Sequence, residues 1–204
     1  HARRYAADMP QRFHKGHVPR LGGAGVFVGT GLAWLSAGWF GDPFNVGWPA
    51  TASGLVLLCI APAVLSGITE DVTQRVPVRY RLALTIGSAL LLCWVLGLGV
   101  HRTGFALVDG WMRAAPFLAV LLAVVAIGGL PHAFNIIDGY NGLAGTVAVL
   151  VCLAISHVAL QVGDRQLAAM VICLFGATLG FLMWNYPSGK IFAGDGGAYV
   201  WGMV

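Results

Sequence analysis

Four short stretches gather the side chains that can bind ions or move protons. The first is His132-Ala-Phe-Asn135-Ile-Ile-Asp138-Gly-Tyr-Asn141-Gly142, with a polar residue at every third position. In a helical or 3₁₀ turn that spacing lines up one polar face. Asn and Asp oxygens suit a hard cation, and Mg²⁺ typically takes one or two carboxylates, waters and substrate phosphate oxygens. The second is Trp184-Asn-Tyr-Pro-Ser-Gly-Lys190-Ile-Phe-Ala-Gly-Asp195-Gly-Gly197. Glycines around Asp195 free backbone N–H groups to face an anion, and Lys190 is a cation beside them. The third is the adjacent pair Glu70-Asp71. Neighbouring residues on a helix point about 100° apart, so the two carboxylates have separate tasks rather than sharing a proton. The fourth, Arg12-Phe-His14-Lys15-Gly-His17-Val-Pro19-Arg20-Leu-Gly22-Gly23, is a basic, His-bearing segment running into a glycine-rich helix start, which suits phosphate. Each stretch taken alone also has a plainer explanation, a capped turn or a basic membrane anchor.

The elements that position these residues follow from composition. Of 204 residues, 58% are hydrophobic and 10% charged, against about 25% charged in an average soluble domain. Six stretches lack Asp, Glu, Lys and Arg and are long enough to cross a bilayer: Gly22–Phe40, Ala50–Ile68, Leu82–Val100, Ala114–Leu130, Leu143–Val162 and Leu167–Trp184. Backbone in lipid must satisfy its own hydrogen bonds, and period-2 alternation is absent, so the expectation is helices and not a β-barrel. The predicted fold is all-α, a polytopic membrane helical bundle with six spans and the start of a seventh. Residues 1–204 read as a single transmembrane catalytic domain. Because the sequence opens on His1 and stops in the apolar run Tyr199–Val204, it reads as the middle of a longer membrane protein. Pro62 is expected to kink the second span and Pro116 to open the fourth. Cys59, Cys93, Cys152 and Cys173 all lie in apolar runs and read as packing residues.

Charge sets the orientation. Six spans leave seven flanking segments; the odd ones hold nine of the twelve Lys and Arg, and the even ones hold Arg102, Arg113 and Arg165. The positive-inside rule puts the odd segments in the cytoplasm. All four polar stretches then fall on that one face. In such a chain the basic excess of +4 marks membrane orientation and not nucleic acid. Transporters place ionisable groups or broken helices near the midplane. Here only His157 lies within a span, so a transporter or flippase of an anionic or lipid-linked solute is the second reading, and a structural membrane subunit a third.

Together the stretches resemble, in order and on one side, the polyprenyl-phosphate N-acetylhexosamine-1-phosphate transferases (glycosyltransferase family 4). The family's H-x-G-x-x-P-R-x-G-G is similar to His14–Gly23, and its acidic pair at a helix end to Glu70-Asp71. Its N-x-x-N-x-x-D-G-x-D-G-L-A is similar to His132–Ala144, and its W-N-x-P-x-K-I-F-x-G-D-x-G to Trp184–Gly197. Glu70 stands where Asp is usual, His132 where Asn is usual and Asn141 where Asp is usual; Gly196 and Ala198 stand where Thr and Ser are common.

The resemblance implies Mg²⁺-dependent transfer (Mn²⁺ as a substitute) of a sugar-1-phosphate, GlcNAc-1-phosphate in the first instance, from a UDP-sugar to undecaprenyl or another polyprenyl phosphate. UMP leaves, and a cell-envelope glycan begins on the lipid. It implies an inner-membrane, multi-pass enzyme whose active site faces the cytoplasm, with the bilayer, a UDP-sugar and the lipid phosphate as partners and no nucleic acid. It assigns Asn135 and Asp195 to the metal, and His14, Lys15, Arg20, Asn141 and Lys190 to substrate. Glu70, Asp71 and Asp138 become the catalytic acids. Asp71, with Glu70, would position or deprotonate the lipid phosphate, and Asp138 would orient the donor or the metal's water shell.

Overall fold

The computed structural model describes residues 18–39, 47 and 50–204. Among these, eight helices follow one another: α1 (Gly22–Trp39), α2 (Ala50–Thr73), α3 (Val78–Leu96), α4 (Ala106–Ala114), α5 (Phe117–Ile137), α6 (Leu143–Gln161), α7 (Arg165–Asn185) and α8 (Gly194–Met203). No strand occurs among the described residues. Five of them, α2, α3, α5, α6 and α7, are long and apolar enough to cross a membrane. The expected all-α polytopic bundle is therefore the observed fold.

The span count differs by one. The first expected span forms α1, but Gly22, Gly23, Gly25, Gly29, Gly31 and Gly38 dilute its hydropathy, and it is not among the five. The helix ends differ more instructively. Charge-free windows stop α2 at Ile68, start α3 at Leu82 and stop α5 at Leu130. The helices instead run on to Thr73, back to Val78 and on to Ile137. Only Pro131 in those extensions disfavours a helix, and α5 accommodates it, so Glu70, Asp71, Arg79 and Arg81 sit on terminal turns of membrane helices. Pro116 lies just ahead of α5 as its N-cap, while Pro131 is accommodated inside that helix. The segment before Pro116 forms a separate amphipathic helix, α4, with Asp109 in its first turn and Arg113 in its last, as the helix dipole favours.

The bundle is packed with small residues and faced with large ones. The buried face of α3 is Thr85, Ser88, Ala89, Leu92 and Cys93; that of α6 is Ala144, Gly145, Ala148, Cys152, Ser156 and Ala159. Leu58, Trp94, Leu150 and Val158 point outward. This suits helices whose surroundings are apolar and whose association rests on close approach. The cysteines are all free, three buried and Cys173 partly so, as packing residues should be.

At the centre stands α8. It is only ten residues long, and every residue from Asp195 to Met203 is buried. It packs against α1, α2 and α5. Gly23 on α1 meets it so closely that a Cβ there would overlap the Gly197 backbone. Trp201 donates its indole N–H to Thr178 Oγ1 on α7 at 3.0 Å and lies edge-on to Phe181. A buried helix in this position presents its N-terminal end to whatever the surrounding helices bring to that level.

Candidate active site at the start of α8

The connectivity brings one end of every long helix to the start of α8. Arg20 precedes α1, Glu70 and Asp71 end α2, Arg81 begins α3, Asn135 and Asp138 end α5, Asn141 precedes α6, and Asn185 ends α7.

The first turn of α8 has no cap of its own, because Ala193 in front of it offers no side-chain oxygen. Asp71 supplies one from α2. Its Oδ1 accepts the Asp195 N–H and its Oδ2 the Gly196 N–H, both at 2.9 Å. An anion at a helix N-terminus satisfies orphan N–H groups and the helix dipole together. Gly194 makes this possible. Its φ is +69°, and a Cβ there would overlap the Asp71 carboxylate. On the other side, residues 19–23 lie along the segment entering α8. Phe192 N–H donates to Pro19 O, Gly22 N–H to Phe192 O and Gly23 N–H to Ala193 O, each at 2.9 Å.

Asp195, fixed by that cap, is a buried carboxylate with two partners. Asn135 Nδ2 donates to its Oδ1 at 2.6 Å, and the Arg81 guanidinium pairs through one nitrogen with its Oδ2. Asn135 and Asp195, both assigned to the metal by the resemblance, thus touch across 60 residues of sequence. Asp138 follows α5 as its C-cap residue. Burial pushes its carboxyl up to about 6, although the Arg20 charge and the Gly194 N–H both act to lower it. Arg20 also acts electrostatically on Asp71. Asp71, Asp138, Asp195, Asn135 and Arg20 therefore form one neighbourhood.

Other expected site residues are placed differently. Glu70 is held at the end of α2: its Oε2 accepts the Val76 N–H at 2.7 Å and ties the α2–α3 turn. Asn141 donates through Nδ2 to Pro187 O at 3.0 Å, joining two loops at the rim. Lys190 is exposed, with its ammonium 5.7 Å from the centre of the Trp184 ring. His14 and Lys15 lie outside the described residues.

Two residues to which the sequence assigns no role join the site. Arg81 is one. Its signal was its register, since residues 81, 85, 88 and 92 form one helical stripe whose other members, Thr85, Ser88 and Leu92, are buried. Asn185 is the second. Only 3% exposed, it accepts the Gly142 N–H at 2.5 Å and donates to Ile191 O at 2.8 Å, so it latches the end of α7 to the start of α6 and to the segment leading to Asp195. His132 meets Thr85 Oγ1 at 3.0 Å and the edge of the Tyr199 ring, filling the space between α3 and α8.

Comparison with known proteins gives this geometry a class. Residues 53–204 match the family model for glycosyl transferase family 4, and the chain belongs to that family. It is 27% identical over 202 residues to a probable undecaprenyl-phosphate N-acetylglucosaminyl 1-phosphate transferase of Bacillus subtilis (strain 168), covering 95% of this chain and 51% of that protein. It is 31% identical over 206 residues to a phospho-N-acetylmuramoyl-pentapeptide-transferase of Thermosynechococcus vestitus, covering 97% and 53%. It is 28% identical over 232 residues to the protein of that name from Mycobacterium sp. (strain KMS), covering 97% and 64%. The chain thus spans about half to two-thirds of the length of these relatives. With five membrane-length helices and such relatives, it is a multi-pass membrane protein.

Proposed function

We propose that this chain is the membrane core of an enzyme that moves a sugar-1-phosphate from a UDP-sugar to a polyprenyl phosphate at the cytoplasmic face and releases UMP. The observation that carries the reading is the meeting of Asp195, Asn135, Asp71 and Asp138 with Arg20 and Arg81 at the start of one buried helix. The donor is water-soluble and the acceptor carries its phosphate at the lipid surface. A site at the ends of the spans is where the two can meet. GlcNAc-1-phosphate is the group we assign, with undecaprenyl phosphate as acceptor and a cell-envelope glycan as the destination.

The donor set suits a magnesium ion, with manganese as substitute. No three His, Cys, Asp or Glu residues among those described converge tightly enough to cage a metal. Asp195 and Asn135 do touch, and two hard oxygen donors are what Mg²⁺ takes from protein when waters and phosphate oxygens complete its shell. We assign those two residues to it, with the Asn135 amide turned to offer its oxygen. The ion's contribution is to offset the charge of two phosphate-bearing substrates.

The remaining roles belong to the side chains. Asp71 holds the start of α8, and so Asp195, in place. A phosphate monoester with a second pKa near 6 is mostly dianionic at pH 7, so the acceptor does not require a base. We assign Arg20, which acts electrostatically on Asp71 and Asp138, to a substrate phosphate. We assign Asp138 to orienting the donor or the metal's water shell.

The test uses the full-length protein in membranes with UDP-GlcNAc and undecaprenyl phosphate, and separates the nucleotides released. UMP as product, with lipid product consumed again when UMP is added in excess, is the expected result, because one phosphoanhydride is exchanged for another. UDP as the only nucleotide product, or no lipid product with any UDP-sugar, overturns the reading. Asp195→Asn should lose about 10²–10³ in rate, the usual loss for one charge-stabilising group, while remaining folded.

A further inference from the structure

Asp195 is a carboxylate buried at the end of an apolar bundle, and a buried charge is tolerated only when paired. Its partner here is Arg81, whose side chain is 17% exposed against 12% for Asp195. The pairing is one-pronged. A guanidinium can grip a carboxylate through two parallel N–H groups, yet Arg81 uses one, and its Nε is buried without a hydrogen-bond partner. The other oxygen of Asp195 accepts an Asn135 N–H at 2.6 Å. Both oxygens therefore face donors, and the positive end of a side chain stands where a cation would need lone pairs.

A divalent ion on Asp195 cannot share that carboxylate with a guanidinium. The two positive charges would sit within a few ångströms in a poorly screened interior. Arg81 has room to leave: it is the fourth residue of α3, at the end of the bundle, with Arg79 and Tyr80 before it exposed. Its unmatched Nε is a donor ready for a new acceptor.

We propose that Arg81 is the resident counter-ion of Asp195 and releases it when a divalent cation binds, so that guanidinium and metal hold the carboxylate alternately. This rests on the assignment of the metal to Asp195 and Asn135. It makes Arg81 a positioning residue that keeps the metal-free bundle intact and weakens metal affinity by competition. The released guanidinium is then available to an anion brought by the metal.

The experiment measures Mn²⁺ binding to the full-length protein in detergent by the loss of the free-ion paramagnetic resonance signal, for wild type, Arg81→Gln and Asp195→Asn. Arg81→Gln should bind Mn²⁺ about fivefold or more tightly than wild type, within the usual span of coupling between two competing partners. Its melting temperature should fall below wild type in EDTA, and the gap should close in excess Mn²⁺. Equal or weaker Mn²⁺ binding by Arg81→Gln, or a gap indifferent to Mn²⁺, overturns the proposal. Unchanged binding by Asp195→Asn would instead overturn the metal assignment beneath it, so the two failures are distinct. Should Arg81→Gln not fold, Arg81→Lys takes its place; its single ammonium holds the carboxylate less well, so tighter binding than wild type supports the proposal and equal or weaker binding overturns it.

Discussion

Asp71→Asn separates two accounts of the same acid. As a proton acceptor for the lipid phosphate, Asp71 would contribute to rate and nothing to the fold. As a cap, it contributes to both. The structure gives it two backbone donors, Asp195 N–H and Gly196 N–H, each at 2.9 Å. Asparagine keeps one acceptor and sets an NH₂ against the other N–H, so one charged-acceptor bond is lost and one donor is left facing a donor. A bond to a charged group contributes about 1.5–3 kcal/mol, and a loss of about 2 kcal/mol is the central expectation. For a chain of this size 1 kcal/mol moves the melting temperature by about 2–4 °C, so the variant should melt about 4–8 °C below wild type. The assay is thermal unfolding of the detergent-solubilised protein in EDTA, which removes any effect through metal. Activity should fall as well, because Asp195 is carried on the turn that loses its cap. A variant that is inactive yet melts at or above the wild-type temperature would refute the capping account and restore Asp71 to the chemistry.

Glu70→Gln should keep most activity, within about tenfold, because glutamine still offers Val76 an acceptor; a loss as large as that of Asp195→Asn would place Glu70 in the chemistry. Asp138 carries a pH signature. Its carboxyl, raised by burial to about 6 from an ordinary value near 4, contributes stability that is fully present below about 4 and is lost as pH rises through about 6. In EDTA, wild type should therefore lose melting temperature between pH 4.5 and 7 relative to Asp138→Asn, and parallel pH curves would contradict the assignment. For orientation, single cysteines at the exposed positions Arg75 and Asp164 should behave oppositely in intact cells: an impermeant reagent applied outside should label Asp164→Cys and miss Arg75→Cys, and the reverse would break the cytoplasmic placement of the site.

What could be read in advance divides by distance along the chain. Helices were legible because apolar runs of membrane length leave no alternative. The neighbourhood of the site was legible because helix ends recur on one side. The individual partners were not. Asp71 meets Asp195 and Gly196 across 124 and 125 residues, and Arg81 meets Asp195 across 114. No local pattern reports such a contact. A charge-free window also clips the helical turns that carry Glu70, Arg81 and Asn135, so the sequence puts the acids at a helix end without their partners and counts Arg81 only toward orientation. Asn185 stands in the W-N-x-P run, but its two bonds to Gly142 and Ile191 exist only after α6 and α7 pack together.

The burial of α8 also bears on how the protein is made. Its ten residues come last among the described helices, after α1, α2 and α5, against which it packs. Until α8 threads between them, Asp71 has no N–H groups to accept from α8, and Arg81 and Asn135 have no carboxylate of Asp195 to meet. A nascent chain halted before Gly194 would carry most of the site's side chains and none of its central acid. A copy halted before that point lacks the complete charge cluster, and the helix that locks the bundle is also the one that completes the cluster.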